Sequence, residues 1–323
     1  MSRLWLILGL LLGAVMLGAV GRQVDVAQVS AVLRDLDIGY AALAVLASLA
    51  FLWVKAWRWT FLLSPLGRAR VRDLIRAVCA GTAANLIVPH AGEFTRVLMV
   101  GGRQPIPASA LLASIVIERL FDFAAVLFFL GAVALVSGGL PEALVPASLM
   151  ATGLFLGLLA VAAFVVYQSA LALRILDVLL KPLPARLGAM LRGHAESGIA
   201  GLSSLRSAHV LLKVALVSLV MWSTIIAVTY CSVRAVGQPI PVTAAIAVMA
   251  LLIAALTLPA APVYIGTTQL AFTVGLAAFG VSTAPAFAAS VVYTIFGLLP
   301  MLAVGGIYFL RNKNGGHSVA HAR

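Results

Sequence analysis

Apolar runs long enough to cross a bilayer recur from one end of this chain to the other. Six such runs are separated by polar segments: Leu4–Val20, Gly39–Leu63, Ala108–Val136, Leu149–Tyr167, Val214–Val233 and Phe287–Leu310. A helix of about 20 apolar residues crosses the hydrocarbon core, so each run predicts a transmembrane helix. Hydrophobic residues make up 63% of the 323 positions and charged residues only 10%, which excludes an ordinary soluble domain. The sequence therefore predicts an all-α polytopic membrane protein.

The first run, Leu4–Val20, has a second interpretation as a cleaved signal peptide. It follows Arg3 and lies at the short end of the range for a spanning helix. However, it lacks a polar segment with a small-x-small cleavage site, and the rest of the chain is itself apolar. We therefore predict an uncleaved first span.

The distribution of positive charge predicts the orientation of the spans. The formal net charge is +12, and its Lys and Arg residues lie in segments between apolar runs, as in the group Arg68, Arg70 and Arg72. Short cytoplasmic loops carry an excess of these residues. Topology thus explains the charge, and we expect no nucleic-acid partner. The same rule predicts that both termini are cytoplasmic, in the inner membrane of a bacterium.

Aromatic and basic side chains alternate near the end of the second run, at Trp53, Lys55, Trp57, Arg58 and Trp59. Such side chains are enriched where a helix meets the membrane surface. The sequence predicts an anchoring belt here rather than a lipid-recognition site.

Residues 169–213 carry further Lys and Arg residues with Leu and Ile at helical spacing, which predicts amphipathic helices on the cytoplasmic surface.

Two helix-breaking residues, Pro89 and Gly92, interrupt the apolar stretch that begins near Cys79. An interrupted backbone survives in a bilayer only where protein buries it or where it lines a hydrated cavity. The arms on either side are too short to span, which predicts a re-entrant hairpin. Broken helices that carry ionisable groups indicate a functional site. The candidate polar residues at this break are Asn85, His90, Glu93 and Arg96.

A second helix is broken in the same way near the C terminus, and its candidate site residues are Pro259, Pro262, Tyr264, Gly266 and Gln269. Paired broken helices in oppositely oriented halves are the best sequence-level indication of a transporter's central site.

The two span-hairpin-span units, residues 39–136 and 214–310, are expected to have opposite orientations. They predict an inverted repeat within a single domain over residues 1–310. The tail, residues 311–323, is expected to be cytoplasmic and disordered.

Three charged residues, Glu118, Arg119 and Asp122, lie near the middle of a transmembrane run. Each costs at least about 2.5 kcal/mol in lipid, so they are expected to face protein. Arg119 can pair with Asp122 at i,i+3, which leaves Glu118 to seek Arg96 or Arg76. An ion-pair clamp that pins the hairpin to this helix is the structural alternative to a binding role.

The charges expected at the site sum to an excess of acid. Arg96 and Arg119 would face Glu93, Glu118 and Asp122. Binding an anionic head group would then need Arg76, a charged His90 or a protonated carboxylate. This balance suggests proton coupling as a hypothesis, with His90 as a plausible proton acceptor.

These residues resemble a known family. The pattern of Asn85, Pro89, Gly92, Glu93 and Arg96, followed by Glu118, Arg119 and Asp122, is similar to the lysylphosphatidylglycerol synthase transmembrane region, a flippase-like domain. The resemblance covers the chain from about Leu4 to Leu310. It implies movement of an aminoacylated or other anionic lipid between leaflets, with the polar residues of this pattern lining the path.

The chain departs from the family pattern at three places. His90 stands where an arginine is usual, Pro262 is followed by Val263 instead of glycine, and Gln269 stands where the second motif has an acid. There is also no soluble aminoacyl-transfer domain, so we expect that this chain alone does not lysinylate lipid. These departures concern the identity of the substrate.

We predict a lipid translocator whose partners are membrane lipids with anionic head groups, together with a lipid-modifying enzyme or a second copy of the chain. No catalytic set, metal-ligand spacing or cofactor motif is recognisable, and Cys79 and Cys231 are interpreted as packing residues. We therefore predict that the chain is not an enzyme and has no cofactor. The alternatives are an intramembrane enzyme acting on a lipid-linked phosphate and an accessory subunit without transport.

Overall fold

The computed structural model describes residues 3–21, 26–67, 70–101, 104, 106–182, 184–202, 207–255 and 261–316, and every regular element in these ranges is helical. The helices are α1 (Arg3–Gly21), α2 (Val26–Arg34), α3 (Ile38–Leu63), α4 (Val71–Ile87), α5 (Ala91–Gly101), α6 (Ala108–Ser137), α7 (Val145–Tyr167), α8 (Ser169–Leu180), α9 (Ala185–Gly201), α10 (Ala208–Ala235), α11 (Val242–Ala255), α12 (Thr267–Ala277), α13 (Thr283–Val292) and α14 (Leu299–Gly316). A π-helical turn, Tyr293–Leu298, joins α13 to α14. The all-helical fold is as predicted.

Five helices in the described part of the chain are long and apolar enough to cross a membrane: α3, α6, α7, α10, and the continuous stretch Thr283–Arg311. They correspond to five of the six predicted spans. The first predicted run is covered by α1, which has 19 residues. The protein is therefore a multi-pass membrane protein.

The amphipathic stretch forms two helices, α8 and α9. Arg192 on α9 joins them, because it lies 2.7 Å from Asp177 on α8 and 3.1 Å from Glu196 on its own helix. Gly201 lets α9 approach α6 closely, since a side chain there would meet Ala110 at 2.7 Å. Helix α9 is thus packed against α6, the helix that carries Glu118, Arg119 and Asp122.

The first break occurs at Pro89 as predicted, whereas Gly92, predicted as a second helix-breaking residue, lies inside α5. Helix α4 ends at Ile87 and α5 begins at Ala91, with His90 in the left-handed region at φ 66°. The two arms pack face to face at Gly92, where an added side chain would collide with the main-chain carbonyl of Gly81. The absence of a side chain at both positions allows the tight approach of α4 and α5.

The second break lies between α11 and α12. A short 3-10 turn, Pro262–Tyr264, carries two non-glycine residues with positive φ, Val263 at 56° and Tyr264 at 54°. Left-handed conformations at non-glycine residues are strained and cluster at functional sites. The predicted site residue Pro259 lies outside the described residues.

The core forms where α3 packs along α10 and where α4 packs along α14. Cys79 and Cys231 are buried in it with free thiols, as expected for packing residues. Gly305 on α14 meets the main-chain carbonyl of Cys79 on α4, so these two helices also touch through their backbones. Both broken helices are therefore held against long helices.

The predicted anchoring belt at the end of α3 is wrong for two of its five residues. Trp53 is 54% exposed, but Arg58 and Trp59 are fully buried. The physical reason is that Arg58 and Trp59 share the face of α3 that packs on other helices, where carboxylates compensate the buried charge.

Candidate functional site

A fully buried guanidinium, that of Arg58, joins three helices. Its Nη1 lies 2.7 Å from Asp122 Oδ1 and donates to Ser218 Oγ at 3.0 Å, while its Nη2 lies 2.8 Å from Glu118 Oε1. The acids are on α6 and the serine is on α10. Short charge-assisted hydrogen bonds at full burial make Arg58 the clamp between α3, α6 and α10.

A second buried arginine, Arg96, attaches the first hairpin to the same acid. Its Nη1 lies 2.6 Å from Glu118 Oε2, and its guanidinium stacks 3.9 Å from the ring of Trp59. Trp59 in turn donates from Nε1 to Ser114 Oγ at 3.0 Å. The expected contact of Arg96 with Glu118 is present, whereas the alternative partner Arg76 is exposed on α4.

The third arginine, Arg119, is held more loosely. Its side chain is 40% exposed, and it lies 3.5 Å from both Glu93 Oε1 and Asp122 Oδ2. The second contact is the i,i+3 pair expected from the sequence. Trp222 on α10 occupies the other oxygen of Asp122, donating from Nε1 at 3.1 Å. The network thus contains two tightly bound arginines and one that remains accessible.

Arg119 faces a cavity of about 190 Å³ between the two breaks. Its polar lining comprises Lys55, Thr82, Asn85, His90, Glu93, Arg119, Asp122, Trp222, Tyr264, Thr267, Thr268 and Tyr293. Its apolar lining comprises Phe51, Leu86, Met221, Ile225, Met249, Leu252, Ile253, Leu298 and Met301, with Pro89 at the first break. Ligand sites are mostly apolar with a few convergent polar groups, which is the composition found here.

Lys55 is the second basic residue that faces this cavity. Its Nζ lies 5.4 Å from the centroid of the Phe51 ring. In the described part of the chain it has no carboxylate within 4 Å, unlike Arg58 and Arg96. Among the described Lys and Arg residues, Lys55 and Arg119 are therefore the two that a ligand in this cavity could contact.

The charge balance at the site differs from the one expected. Lys55, which lines the cavity, and Arg58 add to Arg96 and Arg119, so the site has four basic side chains against the three carboxylates of Glu93, Glu118 and Asp122. The sequence-based sum had an excess of acid because it omitted both residues of α3. Binding an anion consequently does not require a protonated carboxylate.

Three buried oxygen atoms at the cavity have no hydrogen-bond partner. They are Oγ1 of Thr82, Oγ1 of Thr268 and Oε2 of Glu93, whose other oxygen receives a 3.4 Å hydrogen bond from Asn85. Buried polar atoms in native proteins are almost always satisfied by protein, water or a ligand. A polar occupant of the cavity would satisfy these three atoms.

The structure brings most of the predicted site residues to one place. Seven line the cavity: Asn85, Pro89, His90, Glu93, Arg119, Asp122 and Tyr264. Three others do not line the cavity. Arg96 and Glu118 form an ion pair with each other, and Gly92 makes the close contact between α4 and α5. Pro262, Gly266 and Gln269 belong to the second break but do not line the cavity. The side chain of Gln269 instead accepts a 2.7 Å hydrogen bond from Gly266 N.

Sequence reasoning missed the contributions of α3 and α10 to this site. Lys55, Arg58 and Trp59 are spaced three and four residues apart, which places them on one helix face. That spacing within a long apolar helix was the available signal for a buried charged face. Ser218 and Trp222 carry no comparable signal.

Among the described residues, no cluster of His, Cys, Asp and Glu could hold a metal ion.

Comparison with known proteins gives two matches. The model of the family described as "Lysylphosphatidylglycerol synthase TM region" matches residues 6–305. A relative from Haloferax volcanii, named Glycosyltransferase AglD, is 27% identical over 328 aligned positions. The alignment covers 90% of this chain but 51% of the relative, so the chain spans about half of that protein's length. No solved structure matches.

The relative corrects one prediction. The chain was predicted not to be an enzyme, yet a protein aligned with 90% of it is named a glycosyltransferase. That prediction depended on the absence of a recognisable catalytic set in the sequence, and the name of this relative overturns it. The expected family is confirmed, because its model matches nearly the whole length. The chain belongs to the family of the lysylphosphatidylglycerol synthase TM region.

Proposed function

We propose that this protein binds the phosphate-bearing head group of a membrane lipid in the cavity between its two helix breaks and moves it between leaflets. Lys55 and Arg119 would hold the phosphate, while the acyl chains remain against the apolar wall and the surrounding lipid. The two breaks would form re-entrant hairpins of an inverted repeat, which lets the site face each leaflet in turn.

The observation that carries this proposal is that two of the four basic residues are held tightly by carboxylates and two are not. Arg58 and Arg96 are buried at 2.6–2.8 Å from carboxylates, whereas Arg119 is 40% exposed at 3.5 Å and Lys55 has no carboxylate within 4 Å among the described residues. A charge inside a membrane protein is costly, and those that face a cavity mark substrate pathways. The apolar lining that accompanies them suits a lipid better than a soluble anion.

Glycosyl transfer to or from a lipid carrier is a second candidate function. It is favoured by the name of the Haloferax volcanii relative, Glycosyltransferase AglD. Under this proposal the same two cations would hold the lipid's phosphate during the reaction. Both candidates share a phosphate-bearing lipid in the cavity, and they differ in whether a product forms.

Translocation can be measured with the full chain reconstituted in liposomes that contain a fluorescent phosphate-headed lipid, using a membrane-impermeant quencher to follow the exposed fraction. We expect Lys55→Gln and Arg119→Gln each to lower the rate about tenfold or more. Lys213→Gln is the matched control, because Lys213 lies on α10 against the ring of Phe61, 5.6 Å away and outside the cavity.

Three outcomes distinguish the proposals. Rates for the Lys55 and Arg119 variants equal to that of the Lys213 control would contradict a head-group site in this cavity. Conversion of a lipid phosphate in the presence of sugar donors, measured by mass spectrometry, would support glycosyl transfer. An accessory subunit without transport would show neither activity in any variant.

We further propose that the protein lies in the inner membrane with both termini cytoplasmic, and that its partner is a lipid-modifying enzyme or a second copy of the chain.

A further inference from the structure

The N terminus of α12 forms part of the wall of the same cavity, through Thr267 and Thr268. The first N–H groups of any helix lack an intrahelical acceptor and carry partial positive charge. Here the N–H of Gly266 is taken by Gln269 Oε1 at 2.7 Å. The hydrogen bonds within the described residues include none from the N–H groups of Thr267 or Thr268.

The side chain of Thr268 provides independent evidence for an occupant. The residue is 1% exposed, lines the cavity, and its Oγ1 has no hydrogen-bond partner. A buried hydroxyl without a partner costs free energy that a ligand atom would recover. The neighbouring Thr267 hydroxyl is directed elsewhere, towards Met16 Sδ at 3.7 Å.

The corresponding helix start at the first break is closed to anions. Helix α5 has Glu93 in its first turn, and the N–H of Gly92 already donates to Asn85 Oδ1 at 2.6 Å. The first turn of α12 has no acidic residue, because position 269 is a neutral glutamine. Of these two helix starts, only that of α12 combines the partial positive charge of free N–H groups with the absence of an acidic side chain.

We propose that the start of α12 is a phosphoryl subsite, in which the Thr268 hydroxyl and the N–H groups of Thr267 and Thr268 donate to oxygens of the lipid's phosphate. This inference rests on the proposed function and names the part of the second half that recognises the head group. Lys55 and Arg119 supply charge from the first half, and α12 supplies directional donors, as helix N termini do in other phosphate sites. Binding of the phosphate would then use groups from both sides of the cavity together.

The test measures binding of short-chain phosphatidic acid to the full chain in detergent by calorimetry. We expect Thr268→Val, which keeps the shape but removes the hydroxyl, to weaken binding about tenfold. Gln269→Glu should weaken it at least as much, because the glutamate keeps an acceptor for Gly266 N while placing a negative charge in the first turn. Thr273→Val is the matched control on the same helix, since its hydroxyl bonds to the Gln269 carbonyl at 2.9 Å and it does not line the cavity.

Two further ligands identify what is bound. Diacylglycerol of the same chain length should bind at least tenfold more weakly than phosphatidic acid in the unmodified protein, and inorganic phosphate should also bind more weakly because it cannot use the apolar wall. Equal binding of diacylglycerol would overturn the subsite, since no phosphate would then be recognised.

The variants distinguish failure of this inference from failure of the proposed function. If Lys55→Gln weakens binding while Thr268→Val and Gln269→Glu both bind as tightly as the Thr273→Val control, the phosphate is held without α12 and the subsite is overturned. If Lys55→Gln also leaves binding unchanged, the proposed function fails with it. Size-exclusion profiles of the four variants establish that they remain folded.

Discussion

The hydroxyl of Tyr264 donates a 3.3 Å hydrogen bond to the main-chain carbonyl of Asn85, so the second helix break contacts the last turn of α4, beside the first break. The two residues are 179 positions apart in the chain. Tyr264 lines the cavity and lies in the left-handed region at φ 54°, so strain and contact coincide at this point. The 3-10 turn of the second break is thus held directly against α4.

Removing this contact should loosen the junction without removing the binding groups. We expect Tyr264→Phe to lower the free energy of unfolding by about 1 kcal/mol, the net value of a neutral hydrogen bond. Head-group affinity should stay within about twofold, because the cations remain in place. Thermal unfolding in detergent and lipid binding are the measurements. Unchanged stability together with lost binding would mean that the hydroxyl is a ligand contact instead.

Breaking the buried clamp should be far more damaging. Arg58→Ala removes the buried guanidinium that pairs with both Glu118 and Asp122, and we expect a loss of about 3–5 kcal/mol in the free energy of unfolding. Arg192→Ala is the control, because its ion pairs are exposed and should contribute nothing measurable. Thermal unfolding of both variants checks the difference. Equal stability of the two would contradict the clamp.

The tight packing of the first hairpin predicts sensitivity to a single methyl group. Gly92→Ala would force a side-chain carbon into the carbonyl of Gly81, so α4 and α5 must separate. We expect a cost of about 1–3 kcal/mol and a lower rate of lipid movement. Gly153→Ala on α7 is the matched control, since nothing lies within 4 Å of the added carbon. Thermal unfolding and the liposome assay measure the two effects, and a normal Gly92→Ala variant would refute the packing argument.

Glu93 is expected to oppose an anionic ligand. It lies 3.5 Å from Arg119 and adds negative charge to the cavity wall. We therefore expect Glu93→Gln to tighten binding of short-chain phosphatidic acid about threefold or more, because Arg119 would lose a competing partner. Calorimetry measures the dissociation constant. Weaker binding by this variant would show instead that Glu93 accepts a hydrogen bond from the head group.

Several features of the fold follow from local properties of the chain. The transmembrane helices follow from apolar length, as in α6 and α10, and the breaks follow from residues such as Pro89 that the helical backbone does not accommodate. The placement of Glu118 and Asp122 inside the long apolar helix α6 also follows from counting along one segment. These predictions succeeded because each depends on one segment only.

The pairing of the charges could not be obtained in that way. The sequence offered Arg76 and Arg96 equally to Glu118, and it assigned Arg58 to the membrane surface. The structure places Arg58 and Arg96 on the acids and leaves Arg76 exposed. Which basic residue reaches a carboxylate depends on how each helix is rotated about its axis and which helix packs beside it.

The sequence by itself determined that this protein is a multi-pass bundle of helices with two breaks and buried charge, because hydropathy and backbone preference act within a segment. Only the tertiary structure decided that Lys55 and Arg119 face a cavity while Arg58 and Arg96 are bound to carboxylates. It also decided that Thr268, with no signal in the sequence, lines the same cavity. Contacts between residues 60 or more positions apart, such as Arg58 with Glu118, exist only once the helices have packed.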